Sequence, residues 1–390
     1  MIYGLCQSSW DEEELHAINE VVKSDMYTMG KHVAEYEKDF ALKFGSSYAV
    51  MVNSGSSANL VAVAALVYSG RLRAGDEVIV PAVSWSTTYF PLTQFGLKLV
   101  FVDVDAETFN MDVSKVRDVI TSNTKMIVAV NLLGNANEFH ELIQICEREN
   151  IILMEDNCEA MGAEYEGKQL GTIGMLGTFS TFFAHHLCTM EGGMVVTDDR
   201  ELYEYMLCIR AHGWTRNLPQ DSLLNEANEN PFYEKFNFIV PGYNVRPLDM
   251  EGAIGCRQIK KLDQIIENRR KNAAYISGKL KEISGIRLQK ETGKSSWYGF
   301  GMILEGTYAS KRNHIVTELE KAGIETRPIL AGNFTRNKAI EYMDYCIPYP
   351  LTNSDIIHDS GFYIGNHPTV IHDKIDYFIE NMEKIMKGIG

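Results

Sequence analysis

Between residues 48 and 156 short apolar runs alternate with helical patterns, and this alternation limits the fold more than any other feature of the chain. The runs occupy 48–52, 77–81, 97–104, 125–133 and 151–156. They have the length of strands and are apolar nearly throughout, as strands covered on both faces must be. Apolar residues at helical spacing fill intervals at 58–68, 112–120 and 137–149. Strands and helices taken in turn predict an α/β fold: a mostly parallel sheet with helices on both faces.

The flanking regions differ. Residues 11–24 carry Leu15, Ile18, Val21 and Val22 at helical spacing with acids in the first turn, and 33–44 read as a second helix. One or two long helices are expected over 248–278. From about residue 280 short strands (286–289, 297–304) mix with helices (309–322, 372–387), which predicts a smaller C-terminal α+β domain. No Pro/Gly/Ser-rich linker separates the parts. The expected division is 1–248, a large domain with the N-terminal helices, and 249–390, the linking helices and small domain.

Hydrophobic residues at 45% and charged residues at 23% exclude a disordered chain. A net charge of −15 argues against nucleic acid and acidic membranes as partners. No stretch approaches the roughly 20 apolar residues of a membrane span, and the first residues carry no basic-then-apolar signal. The seven cysteines are scattered without a C-x-x-C pair, which predicts reduced thiols in the cytoplasm and neither zinc nor an iron–sulfur cluster.

Chemistry-bearing residues fall where strands end. The run 48–52 meets Asn53-Ser54-Gly55-Ser56-Ser57 and then a helix. Strand, small-residue turn and helix N-terminus make a phosphate cradle, although a serine-capped turn has the same pattern. Trp85 follows the strand 77–81, placed to stack on a flat ring or to fill a core. Asp156 closes the run 151–156, where a carboxylate needs a cation or strong donors. A protonated pyridine nitrogen is one such partner; a helix cap or a salt bridge is another. Residues 178–196 (TFSTFFAHHLCTMEGGMVV) place His185 and His186 between a strand-like run at 179–183 and a second strand beginning at Met194. No G-x-G-x-x-G opens a helix after a strand, which removes a dinucleotide-binding reading.

On the serine turn, Trp85, Asp156 with Glu159, Ser180 and Glu191-Gly192-Gly193, the sequence resembles the sugar-nucleotide aminotransferases of the aspartate-aminotransferase fold. These are pyridoxal-phosphate (PLP) enzymes of fold type I. The resemblance covers nearly the whole chain and implies a seven-stranded large-domain sheet. It implies cofactor contacts from Gly55, Ser56, Ser57, Trp85, Asp156, Glu159 and Ser180, with Asn244 supplied across a homodimer. It also implies weaker substrate contacts from Tyr27, His212, Arg246 and Arg327.

The family's cofactor-binding lysine lies six residues before the glutamate of its E-G-G turn, and here that position is His185. Imidazole cannot make lysine's covalent link, so PLP and its amine form, PMP, would be held noncovalently. Paired histidines mark the family's 3-dehydratase branch, in which His185, by its register with Glu191, would be the sole acid and base, with His186 the alternative. One subtype of that branch acts on CDP-linked sugars and carries an iron–sulfur cluster. The other needs no metal, uses L-glutamate and takes a GDP-linked 4-keto-6-deoxy sugar in colitose biosynthesis. Segments 83–88 (VSWSTT), 210–219 (RAHGWTRNLP) and 241–248 (PGYNVRPL) resemble the second. Alternatives at this stage are a 4-aminotransferase, a 3-dehydratase for another nucleotide sugar, and an inactive cofactor-binding relative.

Overall fold

The structure, a computed structural model, describes residues 1–224 and 230–389. Seven strands build the body of the large sheet: β1 (Tyr48–Val52), β2 (Glu77–Pro81), β3 (Lys98–Val102), β4 (Thr124–Val130), β5 (Ile152–Asp156), β6 (Leu176–Ser180) and β7 (Gly193–Thr197). Their spatial order is β1-β7-β6-β5-β4-β2-β3. All pair in parallel except β7, which is antiparallel to both neighbours. An eighth, two-residue strand, Tyr345–Cys346, pairs in parallel with β3 and extends the expected seven by one. The sheet is buried on both faces, which explains its unbroken apolar runs.

With six of the seven strands running one way, their C-terminal ends share one edge. Asp156 ends β5 and Ser180 ends β6, while the serine turn follows β1 and Trp85 follows β2. That edge is where open α/β sheets bind ligands. The strand expected at 179–183 instead spans Leu176–Ser180. Thr181 leaves it to bond Gly192 O and Thr189, and Phe182 and Phe183 are exposed.

One helix, Asp249–Leu280, joins the two parts. Gly252 and Gly255 let the helix Lys31–Phe44 pack closely on it: a Cβ at Gly252 would lie 2.5 Å from Val33 N, and one at Gly255 2.6 Å from the Tyr36 ring. Fully buried Glu14 ties the helix Glu12–Ser24 to the same element by accepting from Gln258 (2.7 Å) and Lys261 (2.7 and 2.9 Å). The C-terminal part holds a four-stranded antiparallel sheet, ordered Ile286–Leu288, Gly299–Leu304, Gly361–Gly365, Thr326–Arg327. It has its own core around Phe300, Phe362 and Phe378. No helix among the described residues is long and apolar enough to cross a membrane.

Candidate active site

A cavity of about 750 Å³ opens at the C-terminal edge of the large sheet, closed on its other side by Tyr298, Glu325, Arg327 and Tyr363. Gly55, Ser56, Trp85, Asp156, Glu159, Ser180, His185 and Arg327 all line it.

Asp156 is 5% exposed and held on three sides. Its Oδ2 accepts from Asn59 Nδ2 (2.9 Å) and Thr88 Oγ1 (2.8 Å), and its Oδ1 accepts from Cys158 N (3.2 Å). Thr178 Oγ1 donates to Asn59 Oδ1 at 2.6 Å, which orients that amide. Among the described residues Asp156 has no cationic partner, so the charge is aimed by neutral donors at the cavity it lines.

Glu159 faces the same space, enclosed by protein except toward the cavity. Its Oε2 accepts from Leu133 N at 2.9 Å, and Leu133 adopts φ 54° to present that N–H. Burial pushes its carboxyl up to about 8, and nearby Asp156 adds to the effect. The raised value means the folded chain holds the proton more tightly than the unfolded chain does. The associated stability is complete below the ordinary glutamate range and is lost as pH rises through about 8. In cofactor-free protein, Glu159→Gln is therefore expected to gain several degrees in Tm over the native chain between about pH 5 and 8.5. Parallel Tm curves for the two proteins would contradict this.

The turn before the helix Gly55–Tyr68 is shaped by close packing. Ser54 caps the helix by accepting from Ser57 N at 3.1 Å. A Cβ at Gly55 would lie 2.7 Å from Ser180 Cβ and 2.9 Å from Cys158 Sγ. Gly192 (φ 150°) and Gly193 press the following turn onto this one, and a Cβ at Gly193 would meet Ser54 O at 2.2 Å. The cradle thus requires glycine, and Gly55→Ala is expected to cost about 1–3 kcal/mol by overpacking. Its Tm and PLP affinity, measured together, check this. Ser57 is not in the lining; its hydroxyl donates to Asn53 Oδ1 at 2.7 Å.

His185 lines the same cavity, its ring 5.2 Å from that of Tyr298 and 6.3 Å from that of Phe182. Its Nδ1 is buried without a partner. Burial, and secondarily the Arg269 cation, pushes the imidazole down to about 3, so it is uncharged near neutral pH. His186 points away and is 1% exposed, with its Nε2 3.1 Å from Ser296 O. The loop is pinned beyond the pair: Trp10 Nε1 donates to Cys188 O (2.8 Å) and Cys188 N to Gln258 Oε1 (3.2 Å).

Four other expected contacts lie outside this chain's cavity. Tyr27 is exposed and donates to Asp25 Oδ1 (2.7 Å), and His212 is exposed at φ 66°. Arg246 Nε donates to Asn244 Oδ1 (3.0 Å), away from the lining. Sequence reasoning missed Asn59, Thr88, Tyr298 and Tyr363. Asn59 lies one helical turn after Gly55 and could have been found from that spacing; the tyrosines carry no local signal.

The residues fit PLP. A buried carboxylate awaits a protonated ring nitrogen, a glycine-dependent helix N-terminus suits a phosphate, and a half-exposed tryptophan borders the flat space between them. The DegT/DnrJ/EryC1/StrS aminotransferase family model matches residues 8–383. The chain is 51% identical over 389 residues to a GDP-4-keto-6-deoxy-D-mannose 3-dehydratase of Yersinia pseudotuberculosis, covering 99% of this chain and 98% of that one. It superposes on the E. coli GDP-4-keto-6-deoxy-D-mannose-3-dehydratase with bound hydrated PLP at a TM-score of 0.95 and 50% identity, covering 97% and 99% of the two chains. A GDP-4-keto-6-deoxymannose-3-dehydratase with a trapped PLP–glutamate geminal diamine gives 0.95 and 49%, covering 97% and 100%. A lysine-free cofactor cavity on this fold, matched over almost its full length, places the chain in the DegT/DnrJ/EryC1/StrS aminotransferase family.

Proposed function

We propose that the chain is a PLP- and PMP-dependent 3-dehydratase that removes the C3 hydroxyl of GDP-4-keto-6-deoxy-D-mannose, with L-glutamate as amino donor. The observation that carries this reading is His185, an uncharged imidazole lining a PLP-shaped cavity where the family's aminotransferases have lysine.

The cofactor, when bound, supplies an electron sink conjugated to the sugar carbon. Asp156 would hold the proton on its ring nitrogen, and Glu159 would face the ring hydroxyl. Gly55, Ser56 and Ser180 would take the phosphate, with Trp85 against one face. His185 makes no covalent link, so these contacts carry the binding. As a base, the neutral imidazole takes a proton at the cofactor's C4′ carbon. As an acid, the imidazolium then returns it to the sugar's C3 oxygen, which leaves as water. The nitrogen drawn from glutamate is released as ammonia with a 3-deoxy-4-keto sugar, and glutamate becomes 2-oxoglutarate.

In this reading residues 1–248 bind the cofactor and 249–390 close the cavity over it. A second copy of the chain completes the site. Asn244 and Arg246 lie outside the cavity of their own chain, and Tyr27, Phe182, Phe183 and Leu248 leave apolar surface exposed. Seven free cysteines suit the reducing cytoplasm.

Counting nitrogen tests the reading. With PLP and glutamate alone, one equivalent of 2-oxoglutarate per site is expected. With the sugar nucleotide added, 2-oxoglutarate and ammonia accumulate together in equal amounts. Formation of 2-oxoglutarate without ammonia would mean that the nitrogen stays on the sugar and would overturn it.

A further inference from the structure

His185 is backed by a segment remote in sequence. Ser296 O accepts from His186 Nε2 at 3.1 Å, and the Tyr298 ring lies 5.2 Å from His185 and 6.0 Å from His186. Between them Trp297 adopts φ 48°, which a bulky residue holds only when its surroundings enforce it. Arg269, on the helix Asp249–Leu280, supplies part of that enforcement. Its Nη1 donates to Tyr298 O at 2.9 Å and to Trp297 O at 3.3 Å.

The rest of this arginine is left over. It is 2% exposed, its Nε has no partner, and it forms no ion pair among the described residues. Buried cations ordinarily face a carboxylate. This one bonds the carbonyls of Trp297 and Tyr298, and the Tyr298 ring neighbours both imidazoles; an unpaired cation there disfavours a second positive charge on either of them.

We propose that Arg269 is a positioning residue for His185: from behind Trp297 and Tyr298 it fixes the wall on which the ring rests and keeps that ring uncharged, so that it begins each cycle as a base. The inference rests on the reading of His185 as the proton carrier. The other titratable groups are His186 in its own loop, Tyr298 behind the ring, and, in the cavity lining, Cys6, Asp156, Glu159, Glu191, Glu325, Tyr363 and the cation Arg327. Burial is the larger force against charge on the ring, and the arginine adds to it.

The test is ¹⁵N-histidine NMR of PLP-loaded protein, from pH 8 down to the acid edge of the folded state followed by circular dichroism. The His185 signal is assigned by its loss in His185→Asn. In the native protein the ring stays uncharged throughout. In Arg269→Gln the ring takes up a proton within the folded range, so that a midpoint appears above the acid edge where the native protein shows none. Turnover of the sugar nucleotide falls about tenfold in kcat, with KM changed less than about twofold. Arg269→Lys keeps the charge and restores the native titration. An unchanged His185 titration in folded Arg269→Gln overturns the proposal. Should that variant not fold, Arg269→Lys decides: a midpoint in the ordinary histidine range, despite the retained charge, overturns it equally. Continued dehydration by His185→Asn would instead remove the proton-carrier reading, and the titration would still report on Arg269.

Discussion

His185→Asn is expected to lower dehydration by about 10²–10⁴-fold, the usual worth of a positioned acid–base group. Beyond the ring's contacts with Tyr298 and Phe182, no hydrogen bond of the side chain is forfeited at Nδ1, which is without a partner. The backbone bond from His185 N to Phe182 O is untouched by the substitution. Asp156, the serine turn and Trp85, the proposed cofactor contacts, all lie on other elements, so PLP should remain bound. Product formation by chromatography and PLP absorbance after gel filtration check the two halves separately. Loss of PLP together with activity would make His185 a binding residue. Retained turnover would remove it from the chemistry.

The second large effect is at Asp156. Asp156→Asn keeps the size of the side chain and removes its charge. Asn59, oriented by Thr178, can only offer N–H toward this position, so the new amide must turn its oxygen to Asn59 and its N–H₂ elsewhere. A neutral amide also cannot favour a protonated ring nitrogen, which is the state the electron sink needs. Activity should fall about 10²–10³-fold, as when a preorganised electrostatic contact is removed. Stability should fall by only about 1–3 kcal/mol, the cost of a disturbed buried hydrogen bond. Steady-state rates and thermal melts measure both. A near-native rate would show that the carboxylate merely caps its neighbours.

Much of this site was legible because its residues end apolar strands. Asp156, Ser180 and the serine turn each follow a run whose burial could be read from composition, and parallel strands bring such ends to one edge. His185 was legible by register with Glu191. What holds these groups was not. Asn59 and Thr88 reach Asp156 from helices whose placement depends on the whole sheet, and Tyr298 and Arg269 come from far along the chain. The helix Ser86–Gln94 was not among the expected helices; its threonines and Pro91 weaken the helical signal, yet Trp85 stands at its start and Thr88 in its first turn. The edge strand Tyr345–Cys346 is too short for any pattern. The long helix Asp249–Leu280 was read as one or two, and its buried face explains the continuity: Gln258, Leu262, Ile265, Arg269 and Asn272 recur at helical spacing along one stripe.

The most direct test of the whole account is mass spectrometry of the sugar nucleotide after incubation of the protein with PLP, L-glutamate and GDP-4-keto-6-deoxy-D-mannose. A GDP-linked product that has lost the C3 oxygen and carries no added nitrogen is the predicted result. A product that keeps that oxygen and gains an amino group at C4 would contradict the account and make the chain an aminotransferase with another proton carrier.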